Sequence, residues 1–239
     1  MSSLLAPFPA PLRGLSSMAT RRVLAELIER HNRVGGPVAE LQALGGVDAA
    51  RRIQEGEAFD WVVLASDAIE RLRQAGRLHE GSVIDLVRSG VAVAVAAGAP
   101  HPDLRDEAAL RAAVLAAPTV GYSTGPSGTA LMALFARWGL TDALQGRLLR
   151  APAGVPVGEL VARGEVALGF QQHSELLHVP GIDCLGPLPA EIQITTTFSG
   201  AIPLACNDPA RRAAAAALLA FMASPQAEDA KRREGMEPT

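Results

Sequence analysis

Residues 121 to 139 read GYSTGPSGTALMALFARWG. Apart from Pro126, the first nine are Gly, Ser, Thr or Tyr, and none carries a charge. Leu131, Leu134, Phe135 and Trp138 then recur on one helical face, so a polar loop feeds the start of an amphipathic helix. A helix start leaves backbone N–H groups unsatisfied and concentrates about half a positive charge there. Glycines let a ligand come close to those amides and hydroxyls add neutral donors, which is how an oxyanion is held without a full opposing charge. Ser127 suits an N-cap, with Gly128 behind it, and Gly139 suits the C-terminal stop.

Three other strand-to-helix junctions share this chemistry: Ser16-Ser17, Gly45-Gly46-Val47-Asp48, and Ser66-Asp67. Plain capping uses the same residue types at any helix start. The cluster at 121–128 holds more small hydroxyl residues than a cap requires, and it is the leading anion site. Gln171 and Gln172 end the apolar run VALGF, and their amides both donate and accept, which suits a carboxylate or a mixed polar ligand. Solvation of a strand end accounts for them equally. Two tempting motifs fail: Thr129 stands where a nucleophile elbow needs its second glycine, and GYSTGPSGT lacks the lysine of a phosphate-binding loop. The histidines are scattered without metal-ligand spacing, so neither a metal nor a cofactor is expected.

These junctions need parallel strands to place them. Short β-rich runs alternate with helical stretches, as in βαβ units. Leu12–Leu15, Val38–Leu44 and WVVLA (61–65) read as strands, and Leu24, Leu27, Ile28 and His31 mark the first helix. Ser66 and Asp67 read as the cap of a helix running to Gly76. GVAVAVAAG (90–98) is the strongest strand signal, followed by a helix over 106–116, strand TVGYS, strand RLLRA (147–151) and a helix from Val155 to Arg163. A short helix is expected near His173, a long extended passage from Glu191 to Cys206, and helices over 208–222 and 225–234. Thr195 to Thr197 favour that extended passage by their β-branching.

The 239 residues, 49 % of them hydrophobic, suffice for two α/β domains with cores of their own. A net charge of −3 argues against nucleic acid, which needs a basic face. The prolines and missing basic region of MSSLLAPFPAPLRG make it a poor secretory signal, and no apolar run is long enough to span a bilayer. A soluble chain, without membrane insertion and expected to be monomeric, follows. Cys184 and Cys206 fit no metal spacing and read as free structural thiols, with a disulfide between them left open.

LSSMAT at a first strand end, ARRIQEGEAFDWVVLASD, PSGTALMALFARWGL, LVARGEVALGFQQHSEL and the closing AAALLAFMASPQAEDAKRREGMEP together resemble the molybdate-binding-type extracellular solute-binding proteins. The resemblance runs from about residue 12 to 238. It implies the type II periplasmic-binding fold, with two α/β lobes, each a mainly parallel sheet flanked by helices, joined by a two-strand hinge. Lobe 1 would comprise 1–88 plus 195–239, and lobe 2 would comprise 89–194. Such a clamp closes on a small oxyanion or carboxylate and hands it to an ABC permease, in the periplasm by resemblance or in the cytoplasm if this start lacks a leader.

By position, the family's first-strand serine corresponds to Ser17, beside Ser16, and its second-lobe donors correspond to Ser127 and the backbone near Val155. Its serine-rich second loop falls on Gly45 to Asp48, where the hydroxyls are gone, and its tyrosine falls on Gln172. The family is also similar to aconitate isomerase, which implies a rival: proton transfer in a di- or tricarboxylate, with His173 or Asp48 as base and Arg21, Arg22, Arg51 and Arg52 clamping carboxylates. A cytoplasmic anion sensor is the remaining alternative.

Overall fold

The structure, a computed structural model, describes residues 10–152 and 154–239. Residues 1–9, most of the segment considered as a leader, lie outside the described residues. The chain divides into two units. Unit 1 takes the chain up to Val87, then Thr197–Arg233 and Glu237–Thr239, while unit 2 takes Arg88–Thr196 and Glu234–Met236.

Unit 1 opens with β1 (Leu12–Ser17), α1 (Arg21–Arg33), β2 (Ala39–Leu44), α2 (Gly46–Gln54), β3 (Trp61–Ala65) and α3 (Ser66–Gln74). β1 pairs in parallel with both β2 and β3, Ser17 standing opposite Leu44 and Ser16 opposite Val63. The carboxyl ends of three strands are therefore level, and each feeds a helical segment at the same edge. α1 forms because Val23, Leu24, Leu27, Ile28 and His31 fall on one buried stripe, and it stops before Gly35, whose φ of 82° only glycine adopts freely. Leu15, Val62 and Leu64 meet Ile53 of α2 and Ile69 and Leu72 of α3 in the core, each side chain contributing about 2 kcal/mol by leaving water. Gly14 is needed for a close approach, since a Cβ there would lie 1.9 Å from the Trp61 ring.

The chain then runs through β4 (Ile84–Ala96), α4 (Glu107–Ala116), β5 (Val120–Tyr122), α5 (Pro126–Arg137), β6 (Leu148–Arg150), α6 (Val157–Ala162), β7 (Leu168–Gln172), α7 (His173–Leu176) and β8 (Ile182–Pro187). In unit 2, β5 pairs in parallel with β6 and β7, which levels Tyr122, Arg150 and Phe170, and β4 runs antiparallel to β7 and β8. Val93, Val120 and Phe170 pack with Leu110 of α4 and Leu134 and Phe135 of α5.

β9 (Thr195–Ala201) returns the chain to unit 1 antiparallel to β3, followed by α8 (Pro209–Ala223), α9 (Glu228–Arg233) and β10 (Glu237–Pro238). Asp208 caps α8 by accepting from the Ala210 and Arg211 amides. Arg211 fastens α8 to Asp60 with nitrogen–oxygen distances of 2.6 and 2.8 Å.

The structure corrects two strand expectations and agrees with the reading of the cysteines as unpaired. β4 begins at Ile84, earlier than GVAVAVAAG, and β8 was not anticipated from the sequence. Cys184 and Cys206 are both free. The Cys206 thiol is pushed up to about 11 by burial and by its contact with Asp60, so it is inert at neutral pH. Among the described residues no helix is long and apolar enough to cross a membrane, and no three His, Cys, Asp or Glu side chains gather as metal ligands.

Candidate functional site

In unit 1 the two neighbouring serines at the end of β1 differ in kind. Ser16 is wholly buried and donates its hydroxyl to the Ser17 carbonyl at 3.1 Å, as does Thr20 at 3.3 Å. The Ser17 hydroxyl has no partner among the described residues although it is buried. A buried unpaired hydroxyl costs about 1–3 kcal/mol, which a ligand oxygen accepting from it removes. Gly46 opens α2 next to this serine, a Cβ on it falling 3.7 Å from Ser17 Cβ, and the first amides of α2 have no acceptor within the helix. The Val47 side chain is exposed, so any contribution from it is its amide.

Ser66 departs from the capping role. Ala65 holds the cap position of α3, and the Ser66 hydroxyl lies 3.0 Å from the Thr197 carbonyl and 2.7 Å from Ser199 Oγ. Its side chain serves the β3–β9 pairing, leaving its amide at the helix start.

In unit 2, Gly125 caps α5, Pro126 takes the first helical position and Ser127 the second, so Ser127 is not the cap. Proline suits that first position because its missing N–H would be unsatisfied there anyway. Ser127 is buried, and its hydroxyl lies 3.2 Å from Ser123 Oγ. Gly128 has a steric reason, since a Cβ there would sit 1.8 Å from the Ser123 carbonyl oxygen. The glycine lets the loop fold onto the first turn and gathers two hydroxyls and the helix-start amides into one uncharged donor set.

The two glutamines also part company. Gln171 Oε1 accepts from the Val157 N–H at the start of α6 and its Nε2 donates to Glu175, both at 2.8 Å, so its amide is spent on internal structure. Gln172 Nε2 donates to Thr196 Oγ1 at 2.8 Å, and its Oε1 is buried without a partner among the described residues. The Val155 amide donates to the Pro152 carbonyl and is likewise engaged.

The groups considered for proton transfer and for clamping carboxylates are engaged within the protein or turned to solvent. His173 starts α7 and packs on the Gly235 backbone. Burial pushes its imidazole below 6.5, against the hydrogen bond to Gly235. Asp48 faces solvent, 3.6 Å from Arg51, which also binds Glu55. Arg52 is bound to Glu57 and lies over the Phe59 ring, and Arg21 and Arg22 are exposed. Sequence reasoning passed over Ser89 and Ser199, while Ser123 and Thr196 stood within stretches already considered, the 121–128 cluster and Thr195 to Thr197. Ser89 and Ser199 become visible only through strand register.

The sequence model of a family described as bacterial extracellular solute-binding protein matches residues 12–237. This chain belongs to that family. The solute-binding protein is 37 % identical over 224 residues to an aconitate isomerase from a Pseudomonas species, covering 92 % of this chain and 84 % of that one. Its backbone is similar to the periplasmic molybdate-binding protein of Azotobacter vinelandii, with a TM-score of 0.76 at 19 % identity over 94 % of this chain and 98 % of that one. It is also similar to the sulfate-binding protein SubI of Mycobacterium tuberculosis, with a TM-score of 0.73 at 16 % identity over 96 % and 87 % of the two chains. The solute-binding protein thus has the type II periplasmic-binding fold that the sequence led one to expect.

Proposed function

We propose that this solute-binding protein captures a small organic anion, a di- or tricarboxylate, through uncharged donors at its strand ends. Within unit 2 the donors would be Ser127, Gly128 and Gln172, and within unit 1 Ser17 with the Gly46, Val47 and Ser66 amides forms a donor set of its own. The observation that carries this reading is the start of α5, where the buried Ser127 hydroxyl meets Ser123 beside first-turn amides that have no acceptor within the helix. Neutral donors in a dry site bind an anion that fits and leave a poor fit underpaired, so they confer selectivity. A carboxylate is favoured over molybdate because the relative at 37 % identity is an aconitate isomerase, whereas the molybdate-binding protein shares only 19 %. Delivery to an ABC permease outside the cytoplasm follows the family's role.

A second reading, isomerisation of an aconitate-like acid, rests on that same relative. The placement of His173 against Gly235 and of Asp48 beside Arg51 favours binding over catalysis. Calorimetric titration with citrate, both aconitates, malate, succinate, sulfate, molybdate and tungstate tests the first reading. A carboxylate should bind with micromolar affinity or better, and Ser127→Ala should weaken it at least tenfold. Unchanged affinity in that variant refutes the placement. Incubating the bound acid in heavy water tests the second, since deuterium uptake at carbon is its signature.

A further inference from the structure

Gln172 Oε1 and Ser89 Oγ are buried in unit 2 without a hydrogen-bond partner among the described residues. The two residues are 4 % and 2 % exposed. Strand register puts them on one sheet face. Val91 stands directly opposite Gln172, and directly opposed residues project to the same side. Ser89 precedes Val91 by two positions in β4 and so shares its side. That side is the one α5 covers, because Val91 and Phe170 pack with Leu131, Leu134 and Phe135. Gln171, one residue out of phase, reaches α6 instead. The face that carries the α5 donor set therefore also carries two unmet polar atoms.

Their chemistry restricts what can meet them. Gln172 is oriented by donating Nε2 to Thr196 Oγ1, so the atom left over only accepts. The Ser89 hydroxyl donates or accepts. A ligand hydroxyl meets both, donating to Gln172 Oε1 and accepting from Ser89, without adding a charge to this uncharged donor set. Sulfate and molybdate carry no proton at neutral pH and would set oxygen against oxygen at Gln172. We propose that the solute is a hydroxyl-bearing organic acid, its carboxylate held by the α5 start and its hydroxyl by Gln172 and Ser89. This rests on the solute-binding reading above and adds the donor that the ligand must bring.

The test pairs acids that differ by one hydroxyl: citrate against tricarballylate, and malate against succinate, with sulfate and molybdate alongside, titrated into the full chain at pH 7. The hydroxylated member of at least one pair should bind at least tenfold more tightly, because a site built to pair a hydroxyl rejects the analogue that lacks it. That ratio should fall to within about twofold in Ser89→Ala and in Gln172→Leu, and should Gln172→Leu fail to fold, Ser89→Ala decides. Equal binding within both pairs, or a ratio that survives in the folded variants, overturns the proposal. Binding of sulfate or molybdate alone overturns it together with the carboxylate reading and leaves an inorganic-oxyanion binder, whereas equal binding within the pairs spares the carboxylate reading. Binding of none of these compounds overturns both.

Discussion

The hydroxyl oxygens of Ser66 and Ser199 lie 2.7 Å apart, and Ser199 donates onward to Asp85 Oδ1 at 2.5 Å. With the Ser199 proton committed, the Ser66 hydroxyl donates to Ser199 or to the Thr197 carbonyl, and no donor remains for a ligand. Ser66→Ala should therefore cost about 1 kcal/mol in urea unfolding and leave solute affinity within about twofold. A tenfold loss of affinity by calorimetry would place the Ser66 side chain on the ligand after all.

Gly128 permits no side chain, because the obstacle is the Ser123 backbone oxygen rather than a movable group. Gly128→Ala should destabilise the protein by about 1–3 kcal/mol, as overpacking does, and weaken solute binding at least tenfold by pushing the hydroxyl loop off the helix start. Thermal unfolding and titration of the same preparation check both.

Asp60 gives a pH dependence whose sign is fixed. Burial opposes its charge, but the Arg211 guanidinium and the Arg13 amide outweigh that and hold the carboxyl below its ordinary 3.8. A depressed carboxylate contributes stability above the unfolded value and loses it as pH falls through the folded one. Melting temperature should drop below about pH 4, and Arg211→Met should cost about 3 kcal/mol at pH 7 by leaving a buried charge unpaired.

His173 acts at higher pH. Its folded value is depressed, chiefly by burial, so the unfolded chain takes up the proton first. Its presence costs nothing above about pH 7 and destabilises the fold increasingly as pH falls below about 6.5. His173→Gln should flatten the melting profile between about pH 6.5 and 5; an unchanged slope there would contradict this.

Lys231, the only lysine in the sequence, is 1 % exposed, and burial lowers its affinity for the proton against the pull of Glu228. A cation buried to this degree gives up its hydration, and an apolar chain of similar volume replaces it readily. Lys231→Met should be neutral or stabilising by about 1 kcal/mol in denaturant unfolding. Amine reagents should leave the native wild-type side chain unmodified.

The order of strands and helices in unit 1 was legible because each element carries its own period. WVVLA is continuous and apolar, and the α1 stripe recurs every three to four residues. β8 was not, since IDCLGP mixes acid, glycine and proline and is only half-buried, and β4 was read short because Asp85 and Arg88 interrupt its apolar run. The α5 loop was readable from composition. The separate fates of Gln171 and Gln172 follow from alternation along a strand, which the sequence offers only once their strand is known to extend through both. Ser66 could not be read at all, because its partners Thr197 and Ser199 lie more than 130 positions away.

Unit 1 is discontinuous, and that has a bearing on how the protein is made. β3 has its edge partner β9 only after residues 88–196 have been made, so the apolar WVVLA edge stays uncovered through more than half of synthesis. Unit 2, apart from three late residues, is laid down in a single stretch. Unit 2 is thus the first to have its parts in hand, and a nascent chain stalled near residue 190 still presents the unpaired β3 edge of unit 1, the kind of edge that aggregates.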